Sequence, residues 1–259
     1  MSYIDVHAHL CDARYNGDIT EVLSSMKEAG VTRVINSGYD YISSRLSAEL
    51  ADKYDGLYFS VGVHPDESGT LDDDALENIK KLALNTKCVA IGEIGLDYHN
   101  FVYPKEVQYK AFERQMEIAD ELELPFVVHS RDASEEMLKF LKERKSLIKK
   151  GFLMHCYSES IESAKEYLKL GAYFSFGGVI TFKNAKKDGI IASIPTDRLL
   201  SETDSPYLSP EPFRGTTNNP SRIPYIVKKL AEAKNISAHD MIVAINENAD
   251  RLFFKLKCN

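Results

Sequence analysis

The sequence predicts an α/β fold of one particular kind, a single (β/α)8 TIM-like barrel in which residues 1–259 form one domain. Three observations carry this. About eight short apolar, β-rich runs alternate with amphipathic helical segments, with no linker-like break and no internal repeat motif. The length of 259 residues is close to the roughly 250 typical of such barrels. The charged and imidazole side chains inside the apolar runs come late in each run, and the carboxyl ends of barrel strands are where chemistry resides.

The first strand is YIDVHAHL from Tyr3, followed by DITEVLSSMKEAG, whose apolar residues recur at helical spacing up to Gly30. RVINSGY from Arg33, YFSVGVH from Tyr58 and CVAIGEIGLD from Cys88 give the next three strands. VQYKAFERQMEIADELEL reads as an outer helix ahead of the strand FVVHSR from Phe126. EEMLKFLKERKSLIKKG reads as a helix running to Gly151, FLMHC from Phe152 as a strand, and ESAKEYLKLGA as a helix ending near Gly171. AYFSFGG from Ala172 and LLSETDS from Leu199 complete the strands, and Ser237 to Phe254 reads as a closing helix. The three glycines fall at segment ends, where a residue tolerant of left-handed backbone stops a helix.

With 44% hydrophobic and 27% charged residues, the composition is that of a globular protein with a substantial interior. There is no basic-then-apolar leader, and no apolar run reaches the roughly 18 residues of a membrane span, so a soluble cytoplasmic protein with no membrane partner is expected. Cys11, Cys88, Cys156 and Cys258 are widely spaced and form no C-x-x-C pair, which fits reduced thiols. The formal net charge of -7 argues against a broad basic surface wrapping duplex DNA. A nuclease remains open, because bound metal ions supply positive charge locally. No organic cofactor is indicated, and the sequence leaves the oligomeric state open, a monomer being sufficient.

His7 and His9 are two apart in a strand, so both imidazoles share one face and can point together into the barrel mouth. Alone, an H-x-H pair reads more simply as two structural histidines. The rest of the chain reverses this, because Glu93 sits in VAIGEIG, His129 closes FVVH, His155 closes FLMH and Asp204 follows LLSET. Five strands thus deliver nitrogen or oxygen donors to one rim. Such a mixed set suits Zn²⁺, Mn²⁺ or Co²⁺, whereas oxygen alone would suit Mg²⁺ or Ca²⁺ better.

Six donors exceed what one tetrahedral ion with an open position uses, so a pair of divalent ions is expected. Glu93 is the expected bridge, with His7, His9 and Asp204 on one ion and His129 and His155 on the other. Asp204 is the candidate general base, taking a proton from a water activated by the ions. In isolation, ETDS would fit a helix N-cap by Thr203 or Asp204 as well.

Several residues are read with two roles open. His64, in GVHP, either meets substrate, supports a ligand by a hydrogen bond, or is structural before Pro65. Asp97 either orients an imidazole or fixes the following loop. Arg131 and Arg214 either clamp a phosphate bidentately or form surface pairs. Cys156 is read as core packing, because neighbours along a strand point to opposite faces. His99 is read as a rim residue and His239 as a surface residue of the last helix.

Taken in order, DVHAHL at Asp5, GVHP at Gly62, GEIGLDY at Gly92, HSRDA at His129, HCYS at His155, SFGGVITFKNA at Ser175, ETDSPYLSP at Glu202 and the RG…NP loop from Arg214 to Pro220 make the chain similar, end to end, to the TatD-type metal-dependent deoxyribonucleases. The resemblance implies a TIM-like barrel, two divalent metal ions and phosphodiester hydrolysis on DNA, as an exonuclease acting on single strands or exposed ends. It implies ligand roles for His7, His9, Glu93, His129, His155 and Asp204, all present. Two positions depart from the pattern. Asp66 stands where the family's GVHPH has its second histidine, and Thr216 and Thr217 follow RG where basic residues are usual. A neutral loop attracts a polyanion less than Lys or Arg would.

Two other functions fit the residues. One is hydrolysis of a small amide, ester or phosphoester on the same barrel, which the acidic charge favours. Against it, many dinuclear sites of that kind use a carbamylated lysine as bridge, and VAIGEIG offers glutamate instead. The other is a barrel that binds metal or a partner without catalysis, which the intact donor set opposes.

Overall fold

A computed structural model describes residues 2–15 and 19–257. Asp18, at the start of the first amphipathic segment, and Cys258 lie outside the described residues.

Strands and helices alternate as β1 (Tyr3–Ala8), α1 (Thr20–Glu28), β2 (Val31–Ser37), α2 (Tyr41–Lys53), β3 (Leu57–Val61), α3 (Asp73–Ala83), β4 (Cys88–Asp97), α4 (Lys105–Glu121) and β5 (Phe126–Arg131). They continue as α5 (Ser134–Glu143), β6 (Phe152–Met154), α6 (Ile161–Lys169), β7 (Ala172–Phe176), α7 (Asp188–Ser193), β8 (Leu199–Ser201), α8 (Ile223–Lys234) and α9 (Ala238–Leu252). The strands form one sheet in the order β1 to β8, and consecutive strands pair in parallel. The last edge returns to the first. His9 N donates to Ser205 O at 2.7 Å and Asp204 N to His7 O at 2.9 Å, while Ser201 Oγ donates to Ile4 O at 3.1 Å. This is the (β/α)8 architecture expected from the alternation.

Helices on the outside and facing strands on the inside leave β3, β4, β6, β7 and β8 buried along their whole length, as apolar strands of a parallel sheet require. Phe126 on β5 stacks on Phe152 of β6 with centroids 5.3 Å apart, and Phe112 of α4 stacks on Phe140 of α5 at 4.7 Å. Helix starts follow local chemistry. The Asp40 side chain accepts from Ser43 N at 2.6 Å at the start of α2, and Ser237 Oγ accepts from Asp240 N at 3.0 Å at the start of α9. Among the described residues no helix is long and apolar enough to cross a membrane.

Three local expectations differ from the structure. The helix expected to reach Gly151 stops at Glu143. There Arg144 turns back over the Phe140 ring, 3.8 Å from its centroid, and pairs with Glu113 of α4 at 2.9 Å. β6 and β8 end at Met154 and Ser201, so His155 and Asp204 stand just beyond their strands. Cys156 is therefore outside the strand alternation that made it a core residue. It adopts a φ of 46° and is only half-buried, lining a cavity at the barrel mouth.

Candidate metal centre

β1 brings the first pair of imidazoles into the barrel mouth. His7 and His9 approach with their Nε2 atoms 3.1 Å apart. Their other nitrogens are both held by Ser37 at the end of β2: His7 Nδ1 lies 3.1 Å from Ser37 Oγ, and His9 Nδ1 lies 3.0 Å from the Ser37 carbonyl. A carbonyl only accepts, so in neutral His9 the proton sits on Nδ1 and the Nε2 lone pair faces inward. Asp5, one strand step earlier on the same face, is fully buried; its carboxylate accepts from His7 N at 3.2 Å and from Thr203 N at 3.0 Å. It ties the first strand to the segment after β8.

β4 brings Glu93 to the centre. Its register against β5 shifts between Ile91 and Ile94, and Gly92 and Gly95 adopt φ of 155° and 149°. A Cβ on Gly95 would sit 2.0 Å from His129 O and one on Gly92 2.7 Å from Val127 Cβ, so this close approach admits only glycine. The carboxylate that results is split between two groups. Glu93 Oε2 lies 3.3 Å from His7 Nε2 and 3.6 Å from His9 Nε2. Glu93 Oε1 lies 2.7 Å from His129 Nδ1 and 2.8 Å from His155 Nε2.

Asp204 flanks the first group, with Oδ1 3.4 Å from His9 Nε2 and 3.7 Å from His7 Nε2. Its backbone φ of 53° and its N–H bond to His7 O turn the side chain back over β1. On the other side, His129 Nε2 lies 3.0 Å from Asp97 Oδ2, and His155 Nδ1 lies 3.6 Å from Glu202 Oε1. His64 reaches the cluster from β3's end with Nε2 3.7 Å from Glu93 Oε1, while its Nδ1 accepts from Asp66 N at 3.1 Å. In neutral His64 that bond places the remaining proton on Nε2, making it a donor toward the cleft rather than a lone pair.

The charges are mutually dependent. Burial by itself would raise the Glu93 pKa, but His155, His129 and His7 outweigh it and hold the carboxyl well below its ordinary range. Burial opposes protonation of His155 and His129, yet the facing carboxylates win: Glu93 and Glu202 raise His155 well above the usual value, and Asp97 and Glu93 raise His129. Asp97 is held down to about 2, its burial outweighed by the His129 hydrogen bond. His64 goes the other way, to about 3, through burial and the neighbouring His129. Without a metal, protons neutralise the carboxylates of the cluster.

The residues fit a divalent metal. Two imidazole Nε2 atoms 3.1 Å apart cannot both carry hydrogen, and a cation resolves the conflict. His155 Nδ1 and Glu202 Oε1 are buried without a hydrogen-bond partner, a pairing that a neutral imidazole bound through Nε2 would complete. Among the described residues three overlapping sets have donor atoms within 4.8 Å of one another: His7, His9 and Glu93; His7, His155 and Asp204; and His64, Glu93 and His129, the last only once His64 gives up its bond from Asp66 N.

The structure thus gathers His9, Glu93, His129, His155, Asp204 and His64 around one cleft of about 450 Å³, with Arg131 on its wall and His7 buried behind it against Glu93. Arg214 is not there but in an adjoining groove. Asp97 orients an imidazole, and its carboxylate also accepts from His99 N at 2.8 Å, so both readings of it hold. His99 is an exposed rim residue pairing with Asp132 at 3.0 Å, and His239 is exposed on α9. Ser37, Glu202 and Asp5 escaped the sequence reading. The signal was present for one of them: Asp5 precedes His7 by the two-residue step that shares a strand face, whereas Glu202 and Asp204 lie beyond β8, where that rule does not apply.

A family model described as TatD related DNase matches residues 4–254. An uncharacterized metal-dependent hydrolase of Bacillus subtilis, YabD, is 41% identical over 250 residues, covering 96% of this chain and 98% of its own. A protein of Cronobacter sakazakii named 3'-5' ssDNA/RNA exonuclease TatD is 30% identical over 258 residues, covering 97% of each. The crystal structure of YjjV, a TatD homologue from Escherichia coli, matches with a TM-score of 0.88 at 28% identity, covering 97% of this chain and 98% of that one. The eight-stranded barrel and its ring of histidines and carboxylates are accordingly those of a metal-dependent hydrolase, and the chain belongs to the TatD-related DNase family.

Proposed function

We propose that this protein is a deoxyribonuclease that holds two divalent ions and shortens DNA from exposed single-stranded ends in the 3'-5' direction. The observation that carries the reading is the division of Glu93, one oxygen toward His7 and His9 and the other toward His129 and His155. His7, His9 and Asp204 would hold one ion, His129 and His155 the other, and Glu93 both. The continuous sheet supports treating the chain as one functional unit. Zn²⁺ and Mn²⁺ suit the donors, and Mg²⁺ remains open where it is abundant.

Bound there, the ions would supply Lewis acidity for the phosphoryl oxygens and a water that ionises near neutral pH. The chain's own groups do the rest. Asp204 is a carboxylate, because His9, His155 and His7 outweigh its burial and lower its pKa. It would accept a proton as the water oxygen bonds to phosphorus, and when the bond from phosphorus to the sugar oxygen breaks, that oxygen would take up the proton held by Asp204 and leave as an alcohol. His64, with its proton on Nε2, donates to a phosphoryl oxygen. Arg131, on the cleft wall, offers a fork to the same phosphate.

A second reading has one observation in its favour. Asp66 and Glu67 line the cleft mouth, which disfavours a polyanion and suits a smaller phosphoester or amide. Hydrolysis of 3'-labelled and 5'-labelled single-stranded DNA, by wild type and Asp204→Asn under Mg²⁺, Mn²⁺ and Zn²⁺, separates the two. Stepwise shortening by wild type alone, abolished by chelator, is expected. DNA left intact under all three ions, with turnover of an aryl phosphate or cyclic amide, replaces the nuclease reading by the second.

A further inference from the structure

Beside the cleft lies a groove of about 450 Å³ with the opposite electrostatic character. Among the described residues its lining includes Arg14, Phe182, Leu208, Arg214, Thr216 and Thr217, and no carboxylate. Leu208 also lines the cleft, so the groove begins where the cleft ends. In a chain of net charge -7, a groove whose described lining carries two guanidinium groups and no acidic side chain is unexpected.

The two arginines differ from half of the other eight; Arg198 and Arg222 also stack on rings, over Tyr173 and Phe213, but away from this groove. Arg33, Arg45, Arg114 and Arg144 each pair with a carboxylate. Among the described residues Arg14 and Arg214 make no such pair. Each instead lies flat on a ring: Arg14 Cζ is 4.3 Å from the Tyr207 centroid, and Arg214 Cζ is 4.5 Å from that of Phe182. Stacking fixes the plane of a guanidinium while leaving its N–H edge free for a bidentate acceptor. The nearby Asp12 carboxylate is engaged elsewhere, accepting from Arg14 N at 2.8 Å and from Tyr207 hydroxyl at 3.0 Å. Tyr207 lines the cleft as well, so the ring that seats Arg14 borders the reacting phosphate's position.

We propose that this groove binds the phosphodiester backbone of a single nucleic-acid strand beyond the reacting phosphate, with Arg14 and Arg214 as its backbone contacts. The inference rests on the nuclease reading above. It also accounts for the neutral Thr216 and Thr217: the charge that this loop lacks is supplied by Arg14 from the segment after β1. Phosphate contacts do not read the sugar, so DNA and RNA strands are held alike.

Steady-state hydrolysis of a dinucleotide and an octanucleotide by metal-loaded wild type, Arg14→Ala, Arg214→Ala and the double variant tests it. Each single variant should lose about tenfold more kcat/KM on the octanucleotide than on the dinucleotide, the value of one charged hydrogen-bonded contact, and the double variant about a hundredfold. Each should also flatten the plot of log kcat/KM against log salt by about 0.7, and Arg14→Lys should restore that slope. Equal losses on both lengths, or an unchanged slope in correctly folded variants, overturn the groove and leave the nuclease reading standing. If wild type cleaves neither substrate, the nuclease reading fails, and fluorescence anisotropy of a labelled octanucleotide, tight for wild type and about a hundredfold weaker for the double variant, still decides the groove.

Discussion

His155 Nδ1 and Glu202 Oε1 face each other at 3.6 Å, both buried and both without a hydrogen-bond partner. The other Glu202 oxygen is held by Ser175 Oγ, which fixes the carboxylate to β7. His7, His9 and His129 already have their outward nitrogens held, by Ser37 and Asp97. His155 is the exception: a neutral ring that gave its Nε2 lone pair to an ion would carry its proton on Nδ1, the nitrogen that faces Glu202.

Glu202 is therefore expected to govern metal affinity without touching the ion. Glu202→Ala should weaken binding at the His155 site by about 10–100-fold, the usual effect of losing such an outer partner. Glu202→Gln keeps an acceptor but removes the charge, and should fall between. Equilibrium dialysis with elemental analysis measures this, and nitrogen NMR of the histidines reports whether Nδ1 of His155 keeps its proton. Unaltered affinity and an unaltered tautomer in Glu202→Ala would show the carboxylate to be a packing residue.

The approach of β4 to β5 leads to a different expectation. Gly95 holds a φ of 149°, and an added Cβ would meet His129 O at 2.0 Å. Gly95→Ala must move backbone that also carries a predicted ligand, so it should cost at least about 3 kcal/mol, the upper end for a strained backbone position. Urea unfolding is the check. A loss under about 1 kcal/mol, the ordinary effect of a point change, would mean that β4 relaxes freely.

Metal and protons compete for the same imidazoles. The facing carboxylates raise His155 and His129 against the effect of burial, so the metal-free site retains protons that must leave on binding. Affinity should rise as pH rises from about 6 to 8, with protons released to buffer. Isothermal titration in buffers of differing ionisation enthalpy measures the release. Affinity that is flat across this range, with no proton release, contradicts the shared occupancy.

Much of the centre was legible because β-strand alternation is rigid. His7 and His9 share a face by spacing alone, and Glu93, His129, His155 and Asp204 each fall at the end of an apolar run. Less legible was what depends on where strands stop. FLMHC gave no sign that β6 ends at Met154, so the alternation rule misplaced Cys156. The split of Glu93 between two donor groups depends on the register shift between Ile91 and Ile94, and the glycines of GEIG hint at such a shift without fixing its direction. Arg14 and Arg214 are 200 positions apart in the chain, and only the closure of the barrel sets them in one groove.

The most direct test of the dinuclear reading is anomalous scattering from crystals loaded with Mn²⁺. Two peaks are expected, one against His7, His9 and Asp204 and the other against His129 and His155, each in contact with a different oxygen of Glu93. A single peak, or two peaks of which one lies out of reach of Glu93, would contradict the account.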